Sequence, residues 1–392
     1  MTEQEQKVLA CELSALSVFR GILKHRTMTA FIAFLNTKER KQRRLELFGE
    51  FVYSLWEDNY SFSDFLYRAV CTDENPYIVG TARGKAIPTV LAENAAGELA
   101  LFSKLTRIDA KELCASLNFE GYLPRFANEP MDFIQIYEER LQNIHRCGYG
   151  IFATAGMFRV EGEEILPVQA ADNVSTDHFI GYEQERQQVY ANTQALIDGK
   201  PAANVLLFGD AGTGKSSTVK ACANHFASQG VRLIELRKDQ LFSLSRIMGQ
   251  IADNPLKFII FIDDLSFNKN DDQFSMLKAA LEGSASAKAQ NAVIYATSNR
   301  RHIVKESFSD RATADDIHHN DTVQELMSLS DRFGLTVYFE RPNKLLYLEI
   351  VHQLAQKHGI TAEDLDVRAE AYALQKGNRS PRAAEQFINS LL

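Results

Sequence analysis

The sequence predicts an α/β fold, a parallel sheet covered by helices, with an all-α domain before it and a helical lid after it. Apolar residues recur at helical spacing over residues 1–145, with few strand signals. From about residue 172, short apolar runs alternate with helix-like segments, which is typical of a parallel sheet with helices on both faces. After Pro342 the spacing is helical again. We therefore expect a helical N-terminal domain (1–145), a β-hairpin linker (146–171), an αβα core (172–341) and a helical lid (342–392).

The N-terminal domain is predicted from three stretches that space apolar residues three or four positions apart, Val8–Leu23, Arg43–Trp56 and Pro130–His145. A basic helix turn at the start of the second stretch is formed by Lys38, Arg40, Lys41, Arg43 and Arg44. A solvated helix face is the simpler interpretation of this turn, and a contact with nucleic acid or an acidic partner is the alternative.

Composition limits the compartment and the partners. The net charge of −8 argues against a surface devoted to nucleic acid. No run of about 18 apolar residues is present, so we expect no membrane span. The N-terminus is polar and resembles no secretory signal, and the five cysteines form no C-x-x-C pair. We therefore expect a cytoplasmic protein with reduced thiols.

Strands are predicted in two places. Gly148–Gln169 has the pattern of two short strands joined by a turn, which predicts the hairpin linker. The core strands are predicted from five short apolar runs, which are Asn204–Phe208, Arg232–Arg237, Lys257–Asp263, Asn291–Asn299 and Leu335–Glu340.

A phosphate-binding motif follows the first core strand and precedes a predicted helix, Lys215–Phe226. The pattern G-x-x-x-x-G-K-[ST] is formed by Gly209, Asp210, Ala211, Gly212, Thr213, Gly214, Lys215 and Ser216, with Ser217 next. Glycines let the backbone wrap around phosphate oxygens with its N–H groups inward, and the helix N-terminus adds positive partial charge. We expect Lys215 to reach the β- and γ-phosphates of a nucleotide and the Ser216 hydroxyl to bind Mg²⁺.

Two acids, Asp263 and Asp264, follow the apolar run of the third core strand. A carboxylate at this place can hold Mg²⁺ opposite Ser216, which we expect of Asp263. Asp264 can polarise the attacking water, or it can merely cap the next turn.

The segment Asn268–Asp271 spells N-K-x-D, the pattern with which GTPases read guanine. In GTPases it stands at a strand end of its own, and a D-x-x-G switch accompanies the metal site. Asp263–Phe267 contains no glycine, and Asn268–Asp271 directly precedes a predicted helix for which Asp271 or Asp272 is a natural N-cap. We therefore interpret the segment as a helix start and expect ATP rather than GTP.

Three further polar residues complete the predicted site. Asn299 ends the fourth core strand, where its amide would lie beside the γ-phosphate and place the water. Arg332 precedes the last strand at the rim of the sheet, from where it can reach a neighbouring subunit's γ-phosphate. Arg382 lies in the first turn of the last helix, which would face the nucleotide, and Arg379 is the alternative for this role.

These motifs, in this order, resemble the AAA+ ATPases over residues 172–392. The resemblance implies that the Walker A lysine, Walker B aspartate, sensor 1, arginine finger and sensor 2 are Lys215, Asp263, Asn299, Arg332 and Arg382. It also implies that the segment Phe179–Arg186, with Ile180 and Gly181, packs on adenine. The implied ligands are ATP and Mg²⁺. The implied assembly is a homo-oligomeric ring, with a hexamer among its sizes, in which Arg332 acts in trans.

Several phrases, among them "IGYEQER", "GTGKSSTVKA" and "SLSDRFGL", more closely resemble an uncharacterised bacterial AAA+ family catalogued as domain of unknown function 815. The Asp263–Asp264 pair replaces the usual Asp-Glu and is similar to bacterial replication initiators and helicase loaders. We expect Mg²⁺-dependent ATP hydrolysis that remodels or loads a protein or nucleoprotein client through the N-terminal domain. The alternative is a slow ATP-gated switch or scaffold. A small-molecule kinase fits the lid and Arg332 less well.

Overall fold

Residues 1–37, 41–58, 61–168, 180–265, 272–282, 290–299 and 332–392 are described by the computed structural model. They divide between two units, Met1–Thr154 and Ala155–Leu392. The division falls inside the segment predicted to be a linker.

The N-terminal unit is helical, as its apolar spacing predicts. Its α-helices among the described residues are α1 (Glu3–Ser14), α2 (Arg26–Asn36), α3 (Lys41–Asp58), α4 (Phe62–Thr72), α5 (Pro76–Ala82), α6 (Thr89–Thr106), α7 (Ala110–Ala115), α8 (Phe133–Gln142) and α9 (Ile144–Cys147). They enclose a core rich in buried phenylalanines. Rings in this core meet edge to face, as Phe19 and Phe102 do with centroids 5.5 Å apart, a geometry that stabilises beyond the area buried.

The predicted helix Val8–Leu23 is wrong beyond Ser14, where α1 ends and after which only a short 3₁₀ helix forms. The backbone N–H groups of Ser17, Val18 and Phe19 donate to the carboxylate of Glu98 at 2.7, 3.0 and 2.9 Å. Three consecutive amides therefore find acceptors that do not belong to a helix. This contact from α6 overrides the local helical spacing.

The second unit contains a seven-stranded sheet in the order β2-β1-β4-β5-β6-β3-β7. Its strands are β1 (Met157–Glu161), β2 (Glu164–Pro167), β3 (Val205–Gly209), β4 (Val231–Glu235), β5 (Lys257–Ile262), β6 (Ala292–Ser298) and β7 (Leu335–Phe339). Strands β3 to β7 are the five predicted core strands, and every pairing among them is parallel. The predicted α/β fold class is confirmed.

The β1–β2 hairpin belongs to this sheet and is not a separate linker. Strand β1 pairs with β2 antiparallel and with β4 parallel, and Phe158 lies opposite Ile234. Phe158 and Val160 are buried. A two-stranded hairpin cannot bury such a face alone, and the edge of the sheet provides the missing partner. The expectation of a linker over 146–171 is corrected accordingly.

Helices cover the sheet and form the end of the chain. They are α10 (Glu183–Ile197), α11 (Lys215–Phe226), α12 (Leu244–Ile251), α13 (Asp272–Glu282), α14 (Lys344–Lys357), α15 (Leu365–Lys376) and α16 (Pro381–Asn389). Helices α14 to α16 are the predicted lid and share a core that includes Tyr347, Val351 and Phe387. The predicted core and lid both lie within the second unit, so the boundary between residues 341 and 342 stays a prediction.

Within the described ranges, no helix combines the length and the hydropathy that crossing a bilayer requires.

Candidate functional site

The phosphate-binding motif forms the loop between β3 and α11. Gly209, Gly212 and Gly214 have φ values of 138°, 79° and 90°, which side chains rarely tolerate. A Cβ on Gly212 would lie 3.1 Å from the Ser380 hydroxyl oxygen, so the loop also packs closely against the start of α16. The glycines thus serve both the curvature of the loop and its contact with the lid.

Lys215 is buried within this loop, at 6% exposure. Its ammonium donates to the carbonyl oxygens of Gly209 and Asp210 at 2.9 and 2.7 Å, and to Asn299 Oδ1 at 3.1 Å. Burial lowers the pKa of Lys215, and the nearby carboxylates, of which Asp210 acts most strongly, oppose that shift. The Lys215 side chain is therefore fixed at the base of the loop and is hydrogen-bonded to Asn299, the residue predicted to end the fourth core strand.

Ser216 and Asp263 meet as the motif spacing predicts, because β3 and β5 both end at this edge of the sheet. The Ser216 hydroxyl donates to Asp263 Oδ1 at 2.6 Å. Thr297 Oγ1 donates to the same oxygen, and the backbone N–H of Asp264 does so at 3.1 Å. Among the described residues, none donates to Asp263 Oδ2. One carboxylate oxygen is thus held by three donors, and the other has no donor within the described part of the chain.

Asp264 and Asn299 form the link between the acidic strand end and the lysine. Asn299 Nδ2 donates to Asp264 Oδ1 at 2.8 Å while its own Oδ1 accepts from Lys215. Asp264 has a φ of 50°, a left-handed conformation that Asp tolerates better than most residues. Its N–H donates to Thr297 Oγ1 at 2.9 Å, which fixes this turn against β6. These hydrogen bonds therefore hold both the backbone and the side chain of Asp264 in place within the site.

The two candidate arginines of the lid differ in their contacts. Arg379 makes two hydrogen bonds to the Glu370 carboxylate, at 2.9 and 2.8 Å. Arg382 lines the cavity beside the loop, and its backbone N–H donates to the Gly212 carbonyl oxygen at 3.4 Å. No carboxylate among the described residues pairs with Arg382. Arg382 is thus at the loop, and Arg379 is occupied within the lid.

A cavity of ≈ 380 Å³ lies between the phosphate loop and the lid. The loop contributes Gly212, Thr213, Gly214 and Ser217, and the segment predicted to pack on adenine contributes Ile180. The lid contributes residues that include Ile350, Leu354, Arg382 and Ile388. Gly181 follows Ile180 with a φ of 76°. A volume of this size, with a wall that mixes apolar and polar side chains, suits a small-molecule ligand. The segment predicted to pack on adenine therefore stands next to the phosphate loop.

Sequence reasoning missed several residues of the site. Thr297 orients both acids, and its place two residues before Asn299 on the same strand face was the available signal. Tyr182 lines the cavity with a φ of 62°, donates to the Glu340 carbonyl oxygen at 2.6 Å, and has a pKa raised by burial. The apolar lid residues Ile350, Leu354 and Ile388 carried no signal beyond helical spacing.

Arg332 is half-buried and precedes β7 at the amino end of that strand. Leu335, near this end, lies opposite Val205, and Phe339, at the other end, lies opposite Gly209. Four steps of strand, at about 3.3 Å each, make about 13 Å. Arg332 therefore begins at the edge of the sheet remote from its own phosphate loop.

Some predictions concern residues outside the described ranges. These are the N-K-x-D segment Asn268–Asp271, the residue Phe179 and the first part of the basic turn, Lys38–Arg40. Helix α13 begins at Asp272, directly after the N-K-x-D segment.

Comparison with known proteins gives a family and a group of similar folds. The family model described as "Protein of unknown function (DUF815)" matches residues 153–392, more than half of the chain. No curated protein matches.

Three solved structures illustrate the similar folds. The Thermotoga maritima RuvB Holliday junction branch migration motor is similar at 16% identity and a TM-score of 0.34, covering 57% of this chain and 74% of that one. Aeropyrum pernix Orc1 in complex with DNA has 13% identity, a TM-score of 0.41, and coverage of 54% and 59%. The replication initiator DnaA bound to AMPPCP and single-stranded DNA has 14% identity, a TM-score of 0.38, and coverage of 57% and 66%.

Proposed function

The chain belongs to the family described as "Protein of unknown function (DUF815)", and we propose that it is an ATPase of the AAA+ type. The family suggested by the sequence phrases is confirmed by this match. The observation that carries the proposal is the convergence of Lys215, Ser216, Asp263, Asp264 and Asn299 in one hydrogen-bonded cluster at the carboxyl ends of three neighbouring strands.

In this proposal, the triphosphate lies along the loop from Gly209 to Ser217. Backbone N–H groups of the loop and the N-terminus of α11 bind the phosphate oxygens. Lys215 places its charge at the β- and γ-phosphates, where it exchanges carbonyl acceptors for phosphate oxygens. Adenine enters the cavity between Ile180 and the apolar lid residues, and Arg382 adds a second cation from the lid.

The donor atoms fit Mg²⁺. Among the described residues, no group of three or more His, Cys, Asp and Glu side chains is arranged around a common point. The pair Ser216 and Asp263 offers instead one hydroxyl and one carboxylate, the set with which Mg²⁺ is bound when phosphates supply further oxygens. When bound there, Mg²⁺ would neutralise charge on the β- and γ-phosphates.

Hydrolysis requires that a water be held in line with the γ-phosphate. Asp264 can accept a proton from that water, and Asn299 can hold the water and the phosphate in register, because its amide already joins Asp264 and Lys215. Arg332 would complete the site from a neighbouring copy in a homo-oligomeric ring. Its start at the remote edge of the sheet supports a role in trans.

The biological role that we propose is the remodelling or loading of a protein or nucleoprotein client by a cytoplasmic ring, with the N-terminal unit as the client-binding part. The alternative is a slow ATP-gated switch. The switch is favoured because Asp264 has a shorter side chain than the usual Glu, and that side chain is already hydrogen-bonded to Asn299. ATP turnover measured against protein concentration separates the two, because a ring ATPase accelerates on assembly and a switch stays slow.

The site assignment is tested by Lys215→Ala. We expect loss of ATP binding in a titration with fluorescent ATP, because the loop loses its buried cation. Lys200→Ala, on an exposed surface near the end of α10, serves as the control and should bind normally. Undiminished binding by Lys215→Ala would refute the assignment. GTP should compete poorly with ATP, and equal competition would reopen a guanine-binding role for Asn268–Asp271.

A further inference from the structure

The N-terminal unit contains a second charged cavity, with a volume of ≈ 450 Å³. We name it the basic cavity. Its cations are Lys7 on α1 and Lys41 and Arg44 on α3, and its neutral polar lining includes Gln6, Ser116 and Asn118. Among the described residues of the lining, the acid is Glu3, whose side chain is 73% exposed. The basic cavity is therefore a concave site with an excess of positive charge in a protein whose net charge is −8.

Arg44 is fixed in the wall of this cavity by buried groups. One terminal nitrogen donates to Gln6 Oε1 at 3.0 Å, and Gln6 is 2% exposed. Gln6 Nε2 in turn donates to the Ser116 hydroxyl oxygen at 2.9 Å. The other terminal nitrogen lies 3.4 Å from Glu3, at the long end of a hydrogen bond. A guanidinium held by a buried amide is oriented in advance of any ligand.

Two features at this cavity are electrostatically unfavourable. Arg44 Nε is buried and has no acceptor among the described residues. The first turn of α3 carries cations and no acid, although the positive end of a helix favours acids. Asn118, whose carbonyl oxygen accepts from Lys41, lines the same cavity. Local rules broken together at one place are the pattern expected of a binding site.

We propose that the basic cavity binds a small molecule through a phosphate group. An anion there would accept from the Arg44 terminal nitrogen that lies 3.4 Å from Glu3, and would offset the cations at the start of α3. Phosphate matches the set better than a single carboxylate, because Lys7, Lys41 and Arg44 surround one space and a phosphate carries more charge and more acceptor oxygens. The volume lies in the range of small-molecule sites, which favours a compact ligand over an extended acidic peptide.

The site is independent of the ATPase proposal and is tested in the Lys215→Ala chain, which removes the expected phosphate binding at the loop. Inorganic pyrophosphate is titrated by calorimetry up to about 10 mM, where even a site with a Kd near 1 mM is largely filled. Trp56, the single tryptophan of the chain, lies on α3 and gives a second signal by fluorescence. Lys41→Gln and Arg44→Gln are compared with Arg107→Gln, an exposed arginine at the end of α6.

We expect saturable binding that weakens at least about tenfold in Lys41→Gln and in Arg44→Gln, and is unchanged in Arg107→Gln. Lys41 is exposed, so Lys41→Gln keeps the test valid if Arg44→Gln fails to fold by circular dichroism. The proposal is overturned if the Lys215→Ala chain shows no saturable binding, or if Lys41→Gln binds pyrophosphate as Lys215→Ala alone does. It is also overturned if a glutamate-rich peptide binds in a Lys41-dependent manner and pyrophosphate does not.

Discussion

The proposed ATP site has two sides that are built differently, which we call the core wall and the lid wall. On the core wall, Lys215, Asn299 and Asp264 are joined in one chain of hydrogen bonds, and Ser216 and Thr297 hold Asp263. The lid wall combines apolar side chains such as Ile350 with polar ones that include Glu385 and Arg382. No carboxylate among the described residues pairs with the Arg382 guanidinium. A hydrogen-bonded network fixes the position of each of its members, whereas apolar contacts supply burial with little orientation. We infer that Asp264 and Asn299 on the core wall determine the rate of hydrolysis, and that Lys215 and the lid wall together determine the affinity for ATP.

The largest expected effect comes from outside both walls. Arg332→Ala should bind ATP almost normally but hydrolyse it at least about 10³-fold more slowly, because an arginine finger stabilises charge only in the transition state. Steady-state turnover and ATP titration measure the two quantities. Mixing Arg332→Ala with Lys215→Ala should restore part of the activity, since some interfaces then pair an intact loop with an intact arginine. A mixture that forms hybrid assemblies by mass measurement and yet stays inactive would rule out action in trans.

The core wall is tested next by Asp264→Asn. The substitution keeps the shape and removes the proton acceptor, so hydrolysis should fall by about 10²–10⁴-fold while Mg·ATP affinity is retained. Asp263→Asn is the contrasting variant and should also weaken binding that depends on Mg²⁺. If Asp264→Asn turns over at the wild-type rate, Asp264 only caps the turn and another group must activate the water.

Thr297 tests whether the core wall depends on the orientation of Asp263. Thr297→Val removes the hydroxyl that donates to Asp263 and accepts from Asp264 N–H, and keeps the shape of the side chain. The Mg²⁺ concentration for half-maximal activity should rise by about 10–100-fold, as for other residues that orient a metal ligand. Thr297→Ser keeps the hydroxyl and should restore most of the wild-type requirement. Equal behaviour of the Val and Ser variants would show that packing, not the hydrogen bond, matters.

The smallest expected effect concerns the lid wall. Arg382→Ala should weaken ATP binding by about tenfold, the loss of one charge-assisted contact, and leave the Tm of the ligand-free protein nearly unchanged. Arg379→Ala should do the reverse, because Arg379 is bound to Glu370 within the lid. Paired thermal melts and ATP titrations distinguish the two arginines. Weaker ATP binding in Arg379→Ala alone would transfer the sensor role to Arg379.

How much could be predicted from the sequence depends on how far apart in the chain the interacting residues lie. The phosphate loop depends on eight consecutive residues, and the order of Asp263 and Asn299 follows from strands that end at one edge of a parallel sheet. The helix break after Ser14 depends on Glu98, and the pairing of β1 with β4 joins segments far apart in the chain. Neither leaves a local signal.

The faces of the lid helices are a third case of the same limit. Their apolar residues are spaced alike. The packing of α14 on α16 decides that Ile350 and Ile388 belong to the lid core and also line the cavity, whereas Tyr347 belongs to the lid core without lining the cavity. The trans role of Arg332 depends on contacts between copies, which the sequence and the structure of one copy leave as a prediction.

Gly209 has a consequence for genetic studies of this family. A Cβ at this position would lie 2.1 Å from the backbone carbonyl oxygen of Phe339, and no side-chain rotation can relieve a clash with backbone. The first glycine of the motif thus permits β3 and β7 to pair, quite apart from any nucleotide. An allele that changes Gly209 would therefore report on misfolding and degradation, and its phenotype would be mistaken for loss of ATP binding. A null allele at Lys215, by contrast, would separate loss of ATP binding from misfolding.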